Sequence, residues 1–328
     1  MSMVSVRRNN SGHSTFRVTL YAAIVAAFAL TAIYLLSINS SSTPSNNNVI
    51  SEEEISPQKV MMMNTVANKN TATTTTNTAD VGEYERDEEG GDVMKITQGS
   101  VTYTVKTTDK QQQQQHTLDY YHCGPLPSKS NPQLSELVLL HGAAFTKEDW
   151  KSSGILDKLC DINNNEDGGD LSITAWDLPV SATGNELIAA YTAMVNEERL
   201  SGNAVTFVTP SASGKALTSL GEIIMVQDNN NAPSHHPELQ LLVKGWIPVA
   251  SGSVLQTSDE ALLQYVHANV PILAIHGDQD VMGKKVTERL VKLTSAKGVE
   301  LEGRHPVYLD SPDEFVMEVI KFMEENGL

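Results

Sequence analysis

Short, uninterrupted apolar runs that stop at a polar or glycine turn recur through the second two-thirds of this chain, with amphipathic segments between them. The runs are 137–140, 172–179, 204–209, 246–250, 271–277 and 299–303. A strand apolar on both faces must be covered on both, and a sheet held between two helix layers does that. Helices are predicted over 147–160, 185–198, 214–224, 284–293 and 312–326. Alternating strand and helix implies an α/β fold with a mostly parallel central sheet and helices on both faces. The last helix shows the packing logic: Phe315, Val316, Val319, Ile320 and Met323 repeat at the spacing of one buried face. Ser311, Pro312, Asp313 and Glu314 open it with proline in the first turn and acids at the positive end of the dipole. Upstream, 94–105 alternates as strand material, with Gly99 expected at a hairpin turn. Gln111 to Gln115 read as a loop insertion that stays out of the core.

The N-terminal third is organised differently. Residues 18–38 form an uncharged apolar run long enough to cross a bilayer as a helix, preceded by Arg7, Arg8 and Arg17. The reading is a signal anchor with residues 1–17 cytoplasmic and everything after it lumenal or extracellular. A cleaved signal peptide is the competing reading, weakened by an apolar core longer than usual. Residues 39–92, rich in Ser, Thr, Asn and Glu, are expected to be a disordered stalk, and 93–328 the globular domain.

A formal charge of −17, with no Lys/Arg cluster in the globular part, disfavours a nucleic-acid partner, since phosphate neutralisation drives that binding. Cys123 and Cys160 fit no zinc spacing; in a lumenal domain they could pair. His235 and His236 lie in a polar Asn/Pro stretch without a carboxylate or cysteine at ligand spacing, which argues against a metal role there; the chemistry read below calls for neither a metal nor a bound cofactor.

Three of the runs end in residues that carry chemistry. Thr209-Pro210-Ser211-Ala212-Ser213-Gly214, Gly277-Asp278-Gln279-Asp280 and Gly303-Arg304-His305-Pro306 occur in the order Ser, Asp, His, the chain order of the α/β-hydrolase triad. In a parallel sheet all three lie where strands end and ligands bind. Ser211, at a strand-to-helix turn, is the candidate nucleophile, and Ser213 is the alternative or a helix cap. Asp280 is the candidate acid and Asp278 its rival, whose other role is to stabilise the turn. His305, on a late loop after the acid, is the candidate base; His276 lies inside an apolar strand and is expected to be packed. The backbone N–H of Ala212, with that of Ala143 or Ala144 in His141-Gly142-Ala143-Ala144-Phe145, would form the oxyanion hole. Phe145 and Trp150 either line the pocket or pack.

At these residues the chain resembles the α/β-hydrolase domain-containing 14 family, from about Val93 to Leu328. Leu-Leu-His-Gly at 139–142, Asp-Leu-Pro at 177–179, Pro-Ser-Ala-Ser-Gly at 210–214, Gly-Asp-Gln-Asp-Val-Met-Gly at 277–283 and His-Pro-Val-Tyr-Leu-Asp at 305–310 carry the likeness. The resemblance implies an α/β-hydrolase fold with a minimal lid and a Ser-x-Ser-x-Ser elbow whose middle serine, Ser211 here, is the nucleophile; Thr209 stands in place of the first serine. It also implies either a membrane-anchored form or a soluble one that acts on acyl esters and passes acetyl groups from protein lysines to coenzyme A. The expected activity is hydrolysis or transfer of an acyl ester, thioester or amide, on a small acyl substrate or an acylated protein. The alternative is a catalytically silent domain of the same fold used for protein binding.

Overall fold

The computed structural model of the chain describes residues 85–86, 92–93, 96–106, 113–126, 134–162, 171–228 and 237–328. The apolar run 18–38, most of the expected stalk, and His235 and His236 lie outside the described residues. Among the described residues, no helix is long and apolar enough to cross a membrane. Glu85–Arg86 and Asp92–Val93 pair antiparallel, so regular backbone begins inside the stretch assigned to the stalk.

One eight-stranded sheet organises the domain. Its strands are β1 (Thr97–Lys106), β2 (Gln113–Cys123), β3 (Ser135–Leu139), β4 (Leu171–Trp176), β5 (Val205–Pro210), β6 (Val243–Val249), β7 (Leu273–Gly277) and β8 (Lys297–Leu301). The order across the sheet is β1-β2-β4-β3-β5-β6-β7-β8. The first two strands run antiparallel and the other six are parallel, so the expected mostly parallel sheet is present. The chain steps from β3 outward to β4, then back across β3 to β5. That reversal separates the loops after neighbouring strands β3 and β5 and opens the crevice where ligands bind in open α/β sheets.

The strand residues alternate between two apolar layers. Val138, Leu140, Phe207, Trp246 and Ala274 pack on one face under α3 (Gly184–Asn196), α4 (Gly214–Asp228), α6 (Asp259–His267) and α7 (Val281–Thr294). Leu137, Leu139, Val208, Ile247 and Ile275 pack on the other, with Trp150 of α1 (Lys147–Ser152), Leu159 of α2 (Ile155–Ile162) and Phe315, Val319 and Phe322 of α9 (Pro312–Asn326). The short helices α5 (Pro237–Leu242) and α8 (Val307–Asp310) complete the chain. The continuous apolar runs follow from this double coverage.

The structure corrects three expectations. The helix expected over 147–160 is two helices, because Gly154 adopts φ 74 and redirects the chain after Ser153 caps α1. Gly99 is not in a turn. It lies inside β1 opposite Tyr120, and a Cβ there would stand 2.5 Å from the Tyr120 hydroxyl, so the glycine makes room for the ring. Gln113 to Gln115 extend β2 rather than a loop, although they stay exposed as expected. The helix 312–326 begins and ends as the sequence predicts.

Two features tie the antiparallel edge to the rest. Cys123, at the end of β2, forms a disulfide with Cys160 of α2 across a sequence separation of 37. Beside it, His122 is buried and its ring Nε2 lies 3.2 Å from the Ser172 hydroxyl. Burial, reinforced by the Arg199 charge, lowers its pKa from 6.5 to about 4.

Replacing both cysteines by alanine should lower stability by roughly 4 kcal/mol, from the loop entropy released, and denaturant titration measures it. His122 is bound neutral, so stability should be complete above its unfolded pKa. It should fall as pH drops from 6.5 toward about 4, by an amount on the order of 3 kcal/mol. Urea titrations across that window should show a shallower slope for His122→Gln.

Candidate active site

The loops after β3, β5, β6, β7 and β8 converge at one end of the sheet. Ser211 follows β5 directly with φ 53, a left-handed backbone that a serine adopts only when its surroundings impose it. The chain turns through a 3₁₀ segment, Ser211–Ser213, and enters α4 at Gly214. Any Cβ on Gly214 would collide with the Cβ of Ser251, so this glycine is what lets α4 approach the turn after β6. Ser213 is buried and donates to the Pro210 carbonyl at 2.8 Å, which closes the turn from below. Thr209 is also buried: its hydroxyl accepts the Trp246 indole N–H at 2.8 Å, and its carbonyl accepts the Ser251 hydroxyl.

His305 joins the other two candidates. Its Nε2 lies 3.0 Å from the Ser211 Oγ and its Nδ1 2.7 Å from the Asp280 Oδ2. An ionised carboxylate only accepts, so Nδ1–H donates to Asp280, and Nε2 is left to accept from the Ser211 hydroxyl. Asp280 is buried, and its second oxygen accepts the Gly283 N–H at 2.8 Å, so the same carboxylate caps α7. The His305 side chain is one-third exposed, open to an incoming molecule.

The loop after β3 lies against the serine. A Cβ on Gly142 would sit 3.6 Å from the Ser211 Cβ, an ordinary contact distance. Leu140 N–H bonds to the Val208 carbonyl at 3.0 Å, Phe145 N–H closes a turn onto the Gly142 carbonyl at 3.1 Å, and Trp150 Nε1 holds the Leu140 carbonyl at 3.1 Å. Ala143 and Ala144 occupy that turn, exposed, with their N–H groups taken by no other hydrogen bond among the described residues. Asp177 anchors the far end of this loop, accepting the Lys147 N–H at 2.6 Å and its ammonium at 2.9 Å. Trp150 is fully buried and stacks on Tyr308 at 4.5 Å, so it packs, whereas Phe145 stays half-buried beside Gly142.

No family model matches the chain. Among known proteins, ABHD14B of Rattus norvegicus, provisionally named a protein-lysine deacylase, is 28% identical over 201 residues, spanning 58% of this chain and 83% of that protein. Homo sapiens ABHD14B is 27% identical over 203 residues, spanning 61% and 87%. Danio rerio ABHD14A is 27% identical over 200 residues, spanning 58% of this chain and 64% of its own length. A solved CIB-like hydrolase from Thermoplasma acidophilum matches 71% of this chain and 99% of its own at 17% identity, with a TM-score of 0.44. The chain has the α/β-hydrolase fold and is similar in sequence to proteins of the α/β-hydrolase domain-containing 14 family.

Within this hydrolase domain the other candidates separate by their contacts. Asp278 points to the backbone of the His305 loop, accepting the Gly303 N–H at 2.8 Å. His276 is buried inside β7 with its Nε2 3.1 Å from Glu300. Ser251 escaped the sequence reading although Ala250-Ser251-Gly252 follows an apolar run with the small-residue signature of the Ser211 turn. Lys147 escaped it too, since nothing local marks a lysine whose partner, Asp177, lies 30 positions away.

Gly214→Ala should destabilise the domain by about 1–3 kcal/mol, because Ser251 is fully buried in the turn after β6 and is held there by its bond to the Thr209 carbonyl. Urea denaturation against the native chain measures this.

Proposed function

We propose that the chain is a serine hydrolase that takes an acyl group onto Ser211. The observation that carries this is His305 bridging the Ser211 hydroxyl and the buried Asp280 carboxylate while Ser211 is held in a left-handed turn at a strand end. His305 Nε2 removes the Ser211 proton as Oγ attacks the acyl carbonyl. The Asp280 carboxylate keeps Nδ1 protonated and balances the imidazolium. The oxyanion of the tetrahedral intermediate accepts from the Ala212 N–H and from Ala143 or Ala144. His305 then gives the proton to the leaving alcohol, thiol or amine, leaving an acyl-enzyme, and water activated by the same imidazole releases the acid. No step in this sequence needs a metal or a bound cofactor.

The substrate class proposed is an acyl ester, thioester or amide, with an acylated protein lysine among the amides. The name of the ABHD14B relatives supports that last choice. For location we propose a single span at 18–38 with the hydrolase domain lumenal or extracellular. The Cys123–Cys160 disulfide supports it, because such bonds persist in oxidising compartments.

Fluorophosphonate labelling of the purified full chain tests the chemistry. Native protein and Ser213→Ala should label, and Ser211→Ala should not; His305→Ala should label slower by a factor on the order of 10³ or more. A folded native chain that takes no label would refute the reading.

A further inference from the structure

One carboxylate at the site has no part in the proton relay. Asp278 stands two residues before Asp280, exposed, and its Oδ1 accepts the Gly303 N–H at 2.8 Å. His305 follows Gly303 by two residues, so whatever fixes Gly303 fixes the reach of the imidazole. Apart from the His305–Asp280 pair, the rest of the junction between the acid loop and the histidine loop is backbone. Asp278 N–H donates to the Leu301 carbonyl at 2.8 Å, and Gln279 N–H to the Gly303 carbonyl at 3.0 Å. Gly303 has φ 142, a backbone conformation that favours glycine, and a Cβ there would stand 2.6 Å from the Asp310 Cβ. On the far side Asp310 takes the Arg304 N–H at 2.7 Å and its guanidinium at 3.0 and 2.9 Å. The histidine loop is thus gripped between two carboxylates, and only that of Asp278 belongs to the loop that carries Asp280.

We propose that Asp278 is a positioning residue, whose carboxylate oxygen acts through the Gly303 N–H to hold the His305 ring in line between Asp280 and Ser211. This rests on the serine-hydrolase reading above. The two aspartates of Gly-Asp-Gln-Asp then divide the work: the second touches the imidazole and the first sets where the imidazole can be. The requirement is for an acceptor oxygen, not for charge, because an N–H is equally satisfied by an amide oxygen. Loss of the acceptor leaves the fold standing, since Asp278 is exposed and the backbone bonds remain, yet it frees the loop to shift. A misplacement near 1 Å at a reacting group costs on the order of 10²-fold in rate.

The test compares Asp278→Ala and Asp278→Asn in the full chain by two readouts. One is the rate of fluorophosphonate labelling at Ser211. The other is the downfield Nδ1 proton resonance of His305 in a ¹⁵N-histidine sample, assigned by its loss in His305→Gln. Asp278→Ala should label on the order of 10- to 100-fold slower, with the resonance broadened and the unfolding midpoint close to native. Asp278→Asn should recover both. Native rate and resonance in Asp278→Ala would overturn the proposal, as would equal losses in Asp278→Asn. If the native chain shows the resonance but takes no label, the hydrolase reading fails and the positioning role stands or falls on the resonance alone.

Discussion

The turn after β6 is a wedge on which the rest of the site depends. Ala250 adopts φ 49, and its Cβ lies so near Gly283 that a side chain there would come within 2.8 Å of it. Next to it, the Ser251 hydroxyl holds the Thr209 carbonyl, and its Cβ fills the space that Gly214 leaves open. One short turn therefore bears on the Ser211 elbow from one side and on the Asp280 cap of α7 from the other. The left-handed conformation of Ser211 is strained in isolation; these contacts, with the Ser213 bond to Pro210, over-determine it. Three chain-distant groups then meet without any of them having to search for the others.

Much of this arrangement was written locally. Continuous apolar runs identified six of the eight strands, because burial on both faces leaves no polar position to interrupt them. Ser211, Asp280 and His305 were legible because each directly follows such a run, and strand ends of a parallel sheet share one edge. β2 was missed: Gln113 to Thr117 is polar and only its second half is buried, as suits an antiparallel strand with a long solvent-facing extension. α6 was missed as well, since Asp259–His267 buries only part of one face and follows a turn that reads as an ordinary loop.

What could not be read was the support beneath the candidate groups. Gly99 looked like a turn because a glycine in a polar stretch usually is one; its reason is the Tyr120 ring on the neighbouring strand. Ser251, Lys147 and Asp278 work through atoms 42, 30 and 25 positions away, and no spacing rule reaches that far. Thr209 shows the same limit. Nothing local marks its side chain as more than strand material, and only the buried Trp246 contact reveals that its hydroxyl serves as an acceptor.

The Cys123–Cys160 bond divides the site into two kinds of chain. The loop bearing Gly142, Ala143 and Ala144 lies inside the covalent ring that the disulfide closes, together with β3 and α1. Ser211, Asp280 and His305 all lie outside it. In the disulfide-bonded but unfolded chain, one of the two backbone donors that would meet the negative charge is already confined to a small loop, while Ala212 and the groups that would move protons are free along the remaining polymer. Assembly of the candidate site is thus the docking of an open chain onto a pre-tethered one, and the entropy of ordering falls mostly on the residues outside the ring.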